Sequence, residues 1–194
     1  LFMLGNGGGI MSVASGAIIS NLTLIDNIGK TMGGGLFHMG NSNLNAESFS
    51  GFVIDGATVS GNEAFYGGGM SFFDGADPLI KNSEISYNFS EDAGGGIHMD
   101  ASSPEIVDCL ISDNFAFEGG GVFAYNESSP TIRRCIIRTN EVQEEGGGIY
   151  LKDALRGTFE KLQIFDNVSE SYSGGISINS SIADIINCTI SNNV

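Results

Sequence analysis

One stretch of the sequence decides the fold, and it reads GGGIHMDASSPEIVDCLISDN over residues 94–114. The chain then repeats this stretch as GGGVFAYNESSPTIRRCIIRTN over residues 119–140. A glycine marker opens each unit, a Ser-Ser-Pro turn divides it, and an aliphatic residue three positions before an Asn closes it. Because repetition at a fixed period is typical of solenoids and arrays, the remainder of the chain is compared with this unit.

Both markers recur along nearly the whole chain. The glycine markers begin at Gly7, Gly33, Gly67, Gly94, Gly119 and Gly146, with a degenerate copy at Ser173. The closing residues are Asn27, Asn62, Asn88, Asn114, Asn140, Asn167 and Asn193. The markers share a period of about 26 residues and one insertion of about eight residues within 40–51. The insertion is either a tolerated surface loop or a loop that carries function.

Within each unit, apolar residues alternate with polar ones, which is the period of a strand and not of a helix. Three short apolar segments per unit, separated by turns rich in Gly, Ser, Asn and Asp, predict three strands. A unit of this size cannot bury its own apolar face, so it must stack on its neighbours. The sequence therefore predicts an all-β fold, a right-handed three-sided parallel β-helix of about seven coils.

The boundaries of this domain follow from the repeat. We expect residues 1–194 to form a single β-helix domain. No polar cap is visible at either end, and an uncapped solenoid presents unpaired strand edges. We therefore expect a segment of a longer chain, whose partners are other segments of the same large protein or copies of itself stacked end to end.

The recurring Asn residues predict a buried ladder whose amides bond from coil to coil and satisfy turn backbone. The glycines indicate a corner with positive φ or a wall too close for a Cβ atom. A phosphate-binding loop is excluded, because the glycines recur in every coil without the Lys-Ser/Thr of a P-loop. Cys109, Cys135 and Cys188 each stand five residues before a ladder Asn, in an inward column of mostly small side chains.

The charge balance bears on partners and location. The chain has 23 acidic and 8 basic residues, for a net charge of −15. This charge argues against nucleic acid as a partner, because phosphates would be repelled. No apolar run is long enough to span a membrane, so we expect no membrane insertion by this segment. Strong acidity fits solubility, cation attraction or an extracellular setting, and we expect an extracellular or cell-surface location.

Acidic residues also follow the ladder Asn in successive coils and should stack into a strip. Glu91, Asp92, Glu118 and Glu145 are the Ca²⁺ candidates, since carboxylate oxygens are the ligands that this ion prefers. The alternative is a solvated edge that blocks unwanted strand pairing. Apart from possible Ca²⁺, no cofactor is predicted.

Candidates for catalysis follow the first strand of the unit. Asp74, Asp77 and Asp100 could supply paired carboxylates for a glycosidase, and Arg133 could be the base of a lyase. Surface arginines on an acidic protein are more usually ion-pair partners. His38 falls in an inward slot and His98 in an outward one, so they are not expected to form one site.

An outward column after the glycine marker predicts a binding face formed by Phe37, His98, Phe123 and Tyr150. Exposed rings on a flat strand could stack on sugars or on a partner protein, unless neighbouring loops cover them. Asn126 and Asn179 lie in turns and are the candidate glycosylation sites, although sequons arise easily by chance in a chain this rich in Asn and Ser.

The Gly-Gly-Gly-Ile and Ile-x-x-Asn markers, with Ser-Pro-x-Ile-x-x-Cys-x-Ile between them, resemble the right-handed parallel β-helix repeat family. They are also similar to the Gly-Gly-Ala-Ile and Phe-x-x-Asn repeats of polymorphic outer membrane proteins, with Gly for Ala and an aliphatic residue for Phe. This resemblance implies the fold but spans adhesins, surface proteins and polysaccharide-active enzymes. No catalytic motif of the pectate-lyase-like enzymes can be carried over.

Two functions are therefore expected from different classes. The first is a non-catalytic structural or adhesive module of a large extracellular or cell-surface protein, serving as rigid spacer, filament element or binding surface. The alternative is a polysaccharide lyase or glycoside hydrolase acting on an extended glycan along the β-helix face.

Overall fold

The structure is a computed structural model that describes residues 5–41 and 51–194. Its strands pair in parallel, each with the equivalent strand of the next coil, and form four sheets. Most of the predicted insertion, residues 42–50, lies outside the described residues. In the part of the chain that is described, no helix has the length and apolar character needed to cross a membrane.

The four sheets are numbered in the order in which each coil visits them. Sheet 1 contains β1 (Ile10–Val13), β4 (Leu36–Met39), β8 (Met70–Phe73), β12 (Ile97–Asp100), β16 (Val122–Tyr125), β20 (Ile149–Lys152) and β24 (Ile176–Asn179). Sheet 2 contains β2 (Ile18–Ser20), β5 (Val53–Asp55), β9 (Leu79–Lys81), β13 (Glu105–Val107), β17 (Thr131–Arg133), β21 (Gly157–Glu160) and β25 (Ala183–Ile186). Sheet 3 contains β3 (Thr23–Ile25), β6 (Thr58–Ser60), β10 (Glu84–Ser86), β14 (Leu110–Ser112), β18 (Ile136–Arg138), β22 (Gln163–Phe165) and β26 (Thr189–Ser191). Sheet 4 contains β7 (Glu63–Tyr66), β11 (Phe89–Ala93), β15 (Phe115–Glu118), β19 (Glu141–Glu145) and β23 (Val168–Ser169).

This architecture confirms the predicted parallel β-solenoid of about seven coils, with sheets 1, 2 and 3 supplying the three predicted strands of each unit. Five coils also contribute a fourth strand, which joins sheet 4 and lies in a segment that was predicted as a turn. The segments between the ladder Asn and the next glycine marker are rich in acidic residues, which hides their alternation of inward and outward side chains. Sheet 4 also shifts register between Phe89 and Ala93, as a bulged strand does.

Each regular coil turns at four corners, and most corners have a residue in the left-handed region, with two such residues at Asp74–Gly75 and at Asn126–Glu127. In the most regular coil these are Ala101 at φ 48°, Asp108 at 54°, Asp113 at 57° and Gly119 at 60°. The sequence predicted only the glycine corner. The other three are held by residues other than glycine, often Asp or Asn, whose short polar side chains tolerate this conformation.

Both predicted reasons for the glycine markers are confirmed, at different positions of the triplet. Gly94 has φ of +70° and forms the corner. Gly95 and Gly96 do not need positive φ, but a Cβ atom on them would lie 2.5 Å from the carbonyl oxygen of Phe115 and 2.6 Å from that of Gly121. Side chains there would force the coils apart.

We expect Gly96→Ala to lower the free energy of unfolding by about 2 kcal/mol, because the added methyl group meets rigid backbone of the next coil. Chemical denaturation of the variant and the parent protein measures this loss. The matched glycine control is Gly61→Asn, at a corner where another coil carries Asp113 and where the neighbour is the movable carboxylate of Asp26. If both variants unfold at the same denaturant concentration, the close approach at Gly96 does not limit the stack.

The predicted Asn ladder is confirmed from Asn27 to Asn193. In each step the side-chain Nδ2 of one Asn donates to the Oδ1 of the Asn one coil further on, at 2.8 to 3.0 Å. In the central coils Nδ2 also donates to a backbone carbonyl, such as that of Ile85 from Asn114 at 3.0 Å. The ladder thus satisfies buried backbone at the corner between sheets 3 and 4.

The inward residues of the sheets form one continuous core that contains the cysteine column. Cys109 and Cys135 are buried free thiols. Their position has a polar role that the sequence reading missed, because the backbone N–H of Cys109 donates to Sγ of Cys135 at 3.4 Å. Ser83 fills the same column and accepts from the N–H of Ala57 at 3.1 Å. Cys and Ser interchange there because both combine small size with a hydrogen-bond acceptor.

Candidate functional site

The outer face of sheet 1 carries the aromatic column that was predicted as an exposed binding face, and the exposure predicted for it is wrong. Phe37, His98, Phe123 and Tyr150 have exposed fractions of 0%, 3%, 4% and 1%. For His98, Phe123 and Tyr150 the cover comes from the ends of the sheet 4 strands, which the glycine corner brings beside sheet 1. Tyr66 and Ala93 belong to these ends and pack with Phe123 and Tyr150. The alternative of cover by neighbouring segments is therefore the one that the structure shows.

The covered rings form a run along the solenoid. The His98 ring centroid lies 5.1 Å from that of Tyr66 and 5.6 Å from that of Phe123. Phe123 in turn meets Tyr150 edge-on at 5.4 Å and Tyr125 at 6.3 Å. Nδ1 of His98 lies 3.3 Å from Oγ of Ser71. Burial lowers the pKa of His98 to about 4, so its imidazole is neutral at pH 7.

Between sheet 1 and the ends of sheet 4 the cover leaves a groove of about 360 Å³. We call it the sheet 1–sheet 4 groove, and its lining includes Tyr66, His98, Asp100, Phe123, Tyr125 and Lys152. The groove combines an aromatic floor with carboxylate walls, a composition typical of ligand sites. It is the candidate functional site of the described residues.

Besides His98, two acidic groups of the groove have raised pKa values. Burial raises the pKa of Asp100, and the nearby charge of Asp74 raises it further, against the opposing hydrogen bond from Asn126. That bond joins Nδ2 of Asn126 to Oδ1 of Asp100 at 2.8 Å. Burial likewise raises the pKa of Tyr66, whose hydroxyl bonds to Asp92. Asp100 is thus a partly desolvated carboxylate at one wall.

Lys152 occupies one end of the groove. Its Nζ donates to both carboxylate oxygens of Glu118, at 2.8 and 2.9 Å, and lies 5.7 Å from the centroid of the Tyr150 ring. The ammonium is therefore held between a carboxylate and an aromatic ring, the combination that cation–π recognition uses.

The acidic strip that was predicted as a Ca²⁺ candidate lies on the strands of sheet 4. Its carboxylates bond to different side chains and do not point at a common position. Glu118 binds Lys152, and Glu145 accepts from Ser177 and bonds to Tyr150. Asp92 bonds to Tyr66, and Glu91 is exposed on the outer side. Among residues 5–41 and 51–194, no three His, Cys, Asp or Glu side chains converge in a way that could hold a metal ion.

The predicted catalytic residues do not form one constellation. Asp74 and Asp100 are close enough for the charge of one to act on the other. Asp77 is exposed at a turn, where it accepts the backbone N–H of Ser103 at 2.6 Å. Arg133 lies on sheet 2 and forms an ion pair with Glu105 of the preceding coil. The structure brings two of the acids together and leaves the proposed base on another sheet.

Exposed aromatic side chains also occur on the outer face of sheet 4, which was not predicted as a sheet. Phe65 and Phe89 are both 39% exposed. The Phe89 ring stacks on Phe115 of the next coil at 5.7 Å, with the planes 4° apart. The signal was the alternation Phe115-Ala116-Phe117, in which the small residue points inward and the rings point outward.

The two histidines occupy separate environments, as predicted. His38 faces the interior side of sheet 1, where its ring stacks on Phe52 with 4.0 Å between centroids. Its Nδ1 lies 3.1 Å from Oγ of Ser12. His98 belongs to the outer face of the same sheet, because it aligns with Ser71 and Phe123.

Both candidate glycosylation sites are exposed. Asn126 sits at a corner with φ of 53°, and its amide is engaged by Asp100. Asn179 ends β24 and accepts from the Ser180 hydroxyl at 3.2 Å. The ladder sequons Asn88 and Asn167 are 1% and 0% exposed. Modification of Asn126 and Asn179 stays a prediction.

Comparison with known proteins bears on the fold and not on the groove. No curated protein matches the chain. The family model described as "Right handed beta helix region" matches residues 3–141 and 115–194, two overlapping matches that follow the repeats through almost the whole chain. The similarity to polymorphic outer membrane proteins stays a prediction. By its repeats, its stacked coils and this match, the chain belongs to the right-handed β-helix family.

Proposed function

We propose that the chain is a non-catalytic structural or adhesive module of a large extracellular or cell-surface protein. It would serve as rigid spacer, filament element or binding surface. The observation that carries the proposal is the way in which charged side chains are used. Arg133, Arg134 and Lys81 each pair with an acid of the preceding coil, namely Glu105, Asp108 and Asp55. These side chains join coils on the outer surface and do not converge on a cleft.

The proposed partners are other segments of the same large protein, or copies of this chain stacked end to end. In the central coils the inward residues Ile132 and Ile137 are 0% exposed. In the last coil the equivalent residues Ile185 and Ile190 are 45% and 47% exposed. The proposed stacking would use the parallel pairing that joins each coil to the next within the chain.

Glycans are the other proposed partner class, and the exposed rings of sheet 4 support them. Phe65 and Phe89 present flat apolar faces on a rigid strand surface, which is suited to stacking on sugar rings. A rigid face loses little conformational freedom when it binds an extended ligand.

One observation favours the second candidate, a glycoside hydrolase or polysaccharide lyase. The pKa of Asp100 is raised by burial and by the nearby charge of Asp74. A carboxyl group with a raised pKa is what the general acid of a glycosidase needs. The candidate lyase base is less favoured, because Arg133 is paired with Glu105.

A turnover screen separates the two candidates. We expect the chain to cleave no neutral or acidic glycan, with or without Ca²⁺, while glycan binding and end-to-end association remain measurable by array and by electron microscopy. Turnover that Asp100→Ala abolishes, and that the exposed Asp77→Ala leaves intact, would establish the enzyme instead. A compact monomer without association or glycan binding at any concentration would contradict the structural and adhesive role.

A further inference from the structure

We propose that the sheet 1–sheet 4 groove binds the ammonium group of an aliphatic amine, either a free polyamine or the side chain of a lysine. The inference does not depend on the function proposed above, because the coils stack in the same way whether this groove is filled or empty.

The first support is an excess of negative charge in the groove. Asp92, Asp100 and Asp153 line it, and none of them forms an ion pair with a lysine or arginine of the described residues. The cation that the groove does contain, Lys152, is held by Glu118. A ligand that supplies positive charge would be attracted along the whole groove.

The second support is the aromatic lining beside these carboxylates. Tyr66 is half-buried and Tyr125 is 39% exposed, so ring surface is accessible from the groove. Ring faces attract an ammonium group through their quadrupole, most strongly where water is partly excluded. Carboxylates alone would accept any cation, whereas rings and carboxylates together favour an organic one.

The third support is a ring nitrogen without a partner. His98 is 3% exposed and lines the groove, and its Nδ1 bonds to Ser71. Nε2 of His98 has no hydrogen-bond partner among the described residues. Of the unpartnered side-chain N and O atoms there, Oδ1 of Asn6 alone is fully enclosed. Nε2 therefore keeps some accessible surface. With the proton on Nδ1 and donated to Ser71, Nε2 presents a lone pair that accepts from an ammonium N–H.

The fourth support is that the protein already holds one ammonium in this manner. Lys152 places its Nζ between Glu118 and the ring of Tyr150. One coil earlier, Tyr125 stands in the position of Lys152 and Phe123 in that of Tyr150. An aromatic ring is therefore present in both coils, but only the later coil has a lysine beside it. The part of the groove next to Phe123 has no ammonium group that corresponds to that of Lys152.

The test is a titration of the isotope-labelled protein, followed by NMR, with n-butylammonium as ligand and n-butanol as its neutral counterpart. At physiological salt we expect saturable shifts of the His98, Phe123 and Tyr125 amides with n-butylammonium and none with n-butanol. The imidazole nitrogens of His98 report independently, since Nε2 should shift as it accepts a hydrogen bond.

Two variants locate the binding. Asp100→Asn removes one carboxylate charge without changing its size and should weaken binding by about ten-fold, as expected for a hydrogen bond to a charged group. The control Glu141→Gln removes the same charge from an exposed position on the outer side of sheet 4 and should leave the affinity unchanged. Circular dichroism of both variants verifies the fold.

Three outcomes would overturn the proposal. They are the absence of saturable shifts in the groove, equal weakening by Asp100→Asn and Glu141→Gln, and binding of n-butanol as tight as that of n-butylammonium. Equal weakening would mean diffuse attraction to an acidic protein. Once binding of an ammonium group is established, the affinities of spermidine and Nα-acetyl-lysine amide are compared. Tighter binding of spermidine identifies a polyamine as the ligand, and tighter binding of the lysine amide identifies a lysine side chain. None of these outcomes alters the turnover and association tests of the scaffold role.

Discussion

Asn114→Leu is expected to lower the free energy of unfolding by about 3–5 kcal/mol, because it removes one step of the ladder and strands buried polar groups. Nδ2 of Asn114 donates to the Ile85 carbonyl at 3.0 Å and to Oδ1 of Asn140 at 2.9 Å. Its Oδ1 accepts from the backbone N–H and the side-chain Nδ2 of Asn88, at 3.0 and 2.9 Å. Leucine has a similar size, so the loss reports the hydrogen bonds and not a cavity.

The backbone N–H of Asn88 is the group that decides the size of this effect. It lies in a residue that is 1% exposed, so water cannot replace the lost acceptor. Each buried group left without a partner costs about 1–3 kcal/mol. Denaturant unfolding followed by circular dichroism measures the sum.

The choice of control depends on the structure. Asp113, next to Asn114, is unsuitable because it occupies a corner at φ of 57° and accepts the Thr139 hydroxyl at 2.8 Å. Glu141→Gln is the better control, since Glu141 is exposed and directly follows the ladder residue Asn140. It should cost well under about 1 kcal/mol. If Asn114→Leu and Glu141→Gln are equally stable, the hydrogen bonds of the Asn ladder do not contribute to the free energy of unfolding.

The inward columns and the ladder could be predicted from the sequence because their residues obey strict rules. Asn114 both donates and accepts hydrogen bonds through its amide, and a Cβ atom on Gly96 would lie 2.6 Å from the carbonyl oxygen of Gly121. Such constraints recur in each coil, so the repeat makes them visible. Sheet 4 was missed because its outward positions are free to hold Phe115 in one coil and Glu141 in the next.

The groove could not be predicted, because it depends on how two faces of the solenoid meet. Alternation correctly placed His98 and Phe123 on the outer side of sheet 1. It contains no information on whether another segment covers that side. The cover arises from the corner at Gly119, which brings the ends of sheet 4 beside sheet 1, and from residues such as Tyr66 and Ala93 that no motif marks.

Acid is expected to destabilise the protein through His98. Burial lowers the pKa of His98 to about 4, from 6.5 in the unfolded chain, so between these values the unfolded state binds a proton that the folded state does not. The stabilising contribution is fully present above about pH 6.5 and is lost as the pH falls towards 4. The difference in pKa corresponds to a loss of about 3 kcal/mol over this range.

A comparison of pH profiles isolates this term from the others. His38 also has a pKa lowered by burial and acts in the same direction, whereas the raised pKa of Asp100 acts in the opposite one. Both groups are present in the parent protein and in His98→Gln, which keeps a polar side chain beside Ser71 but does not titrate. The stability of the parent should therefore fall more steeply than that of the variant between pH 7 and pH 4, by about 3 kcal/mol in total. Parallel profiles would show that the ring is open to water, and that the ends of sheet 4 do not cover sheet 1 in solution.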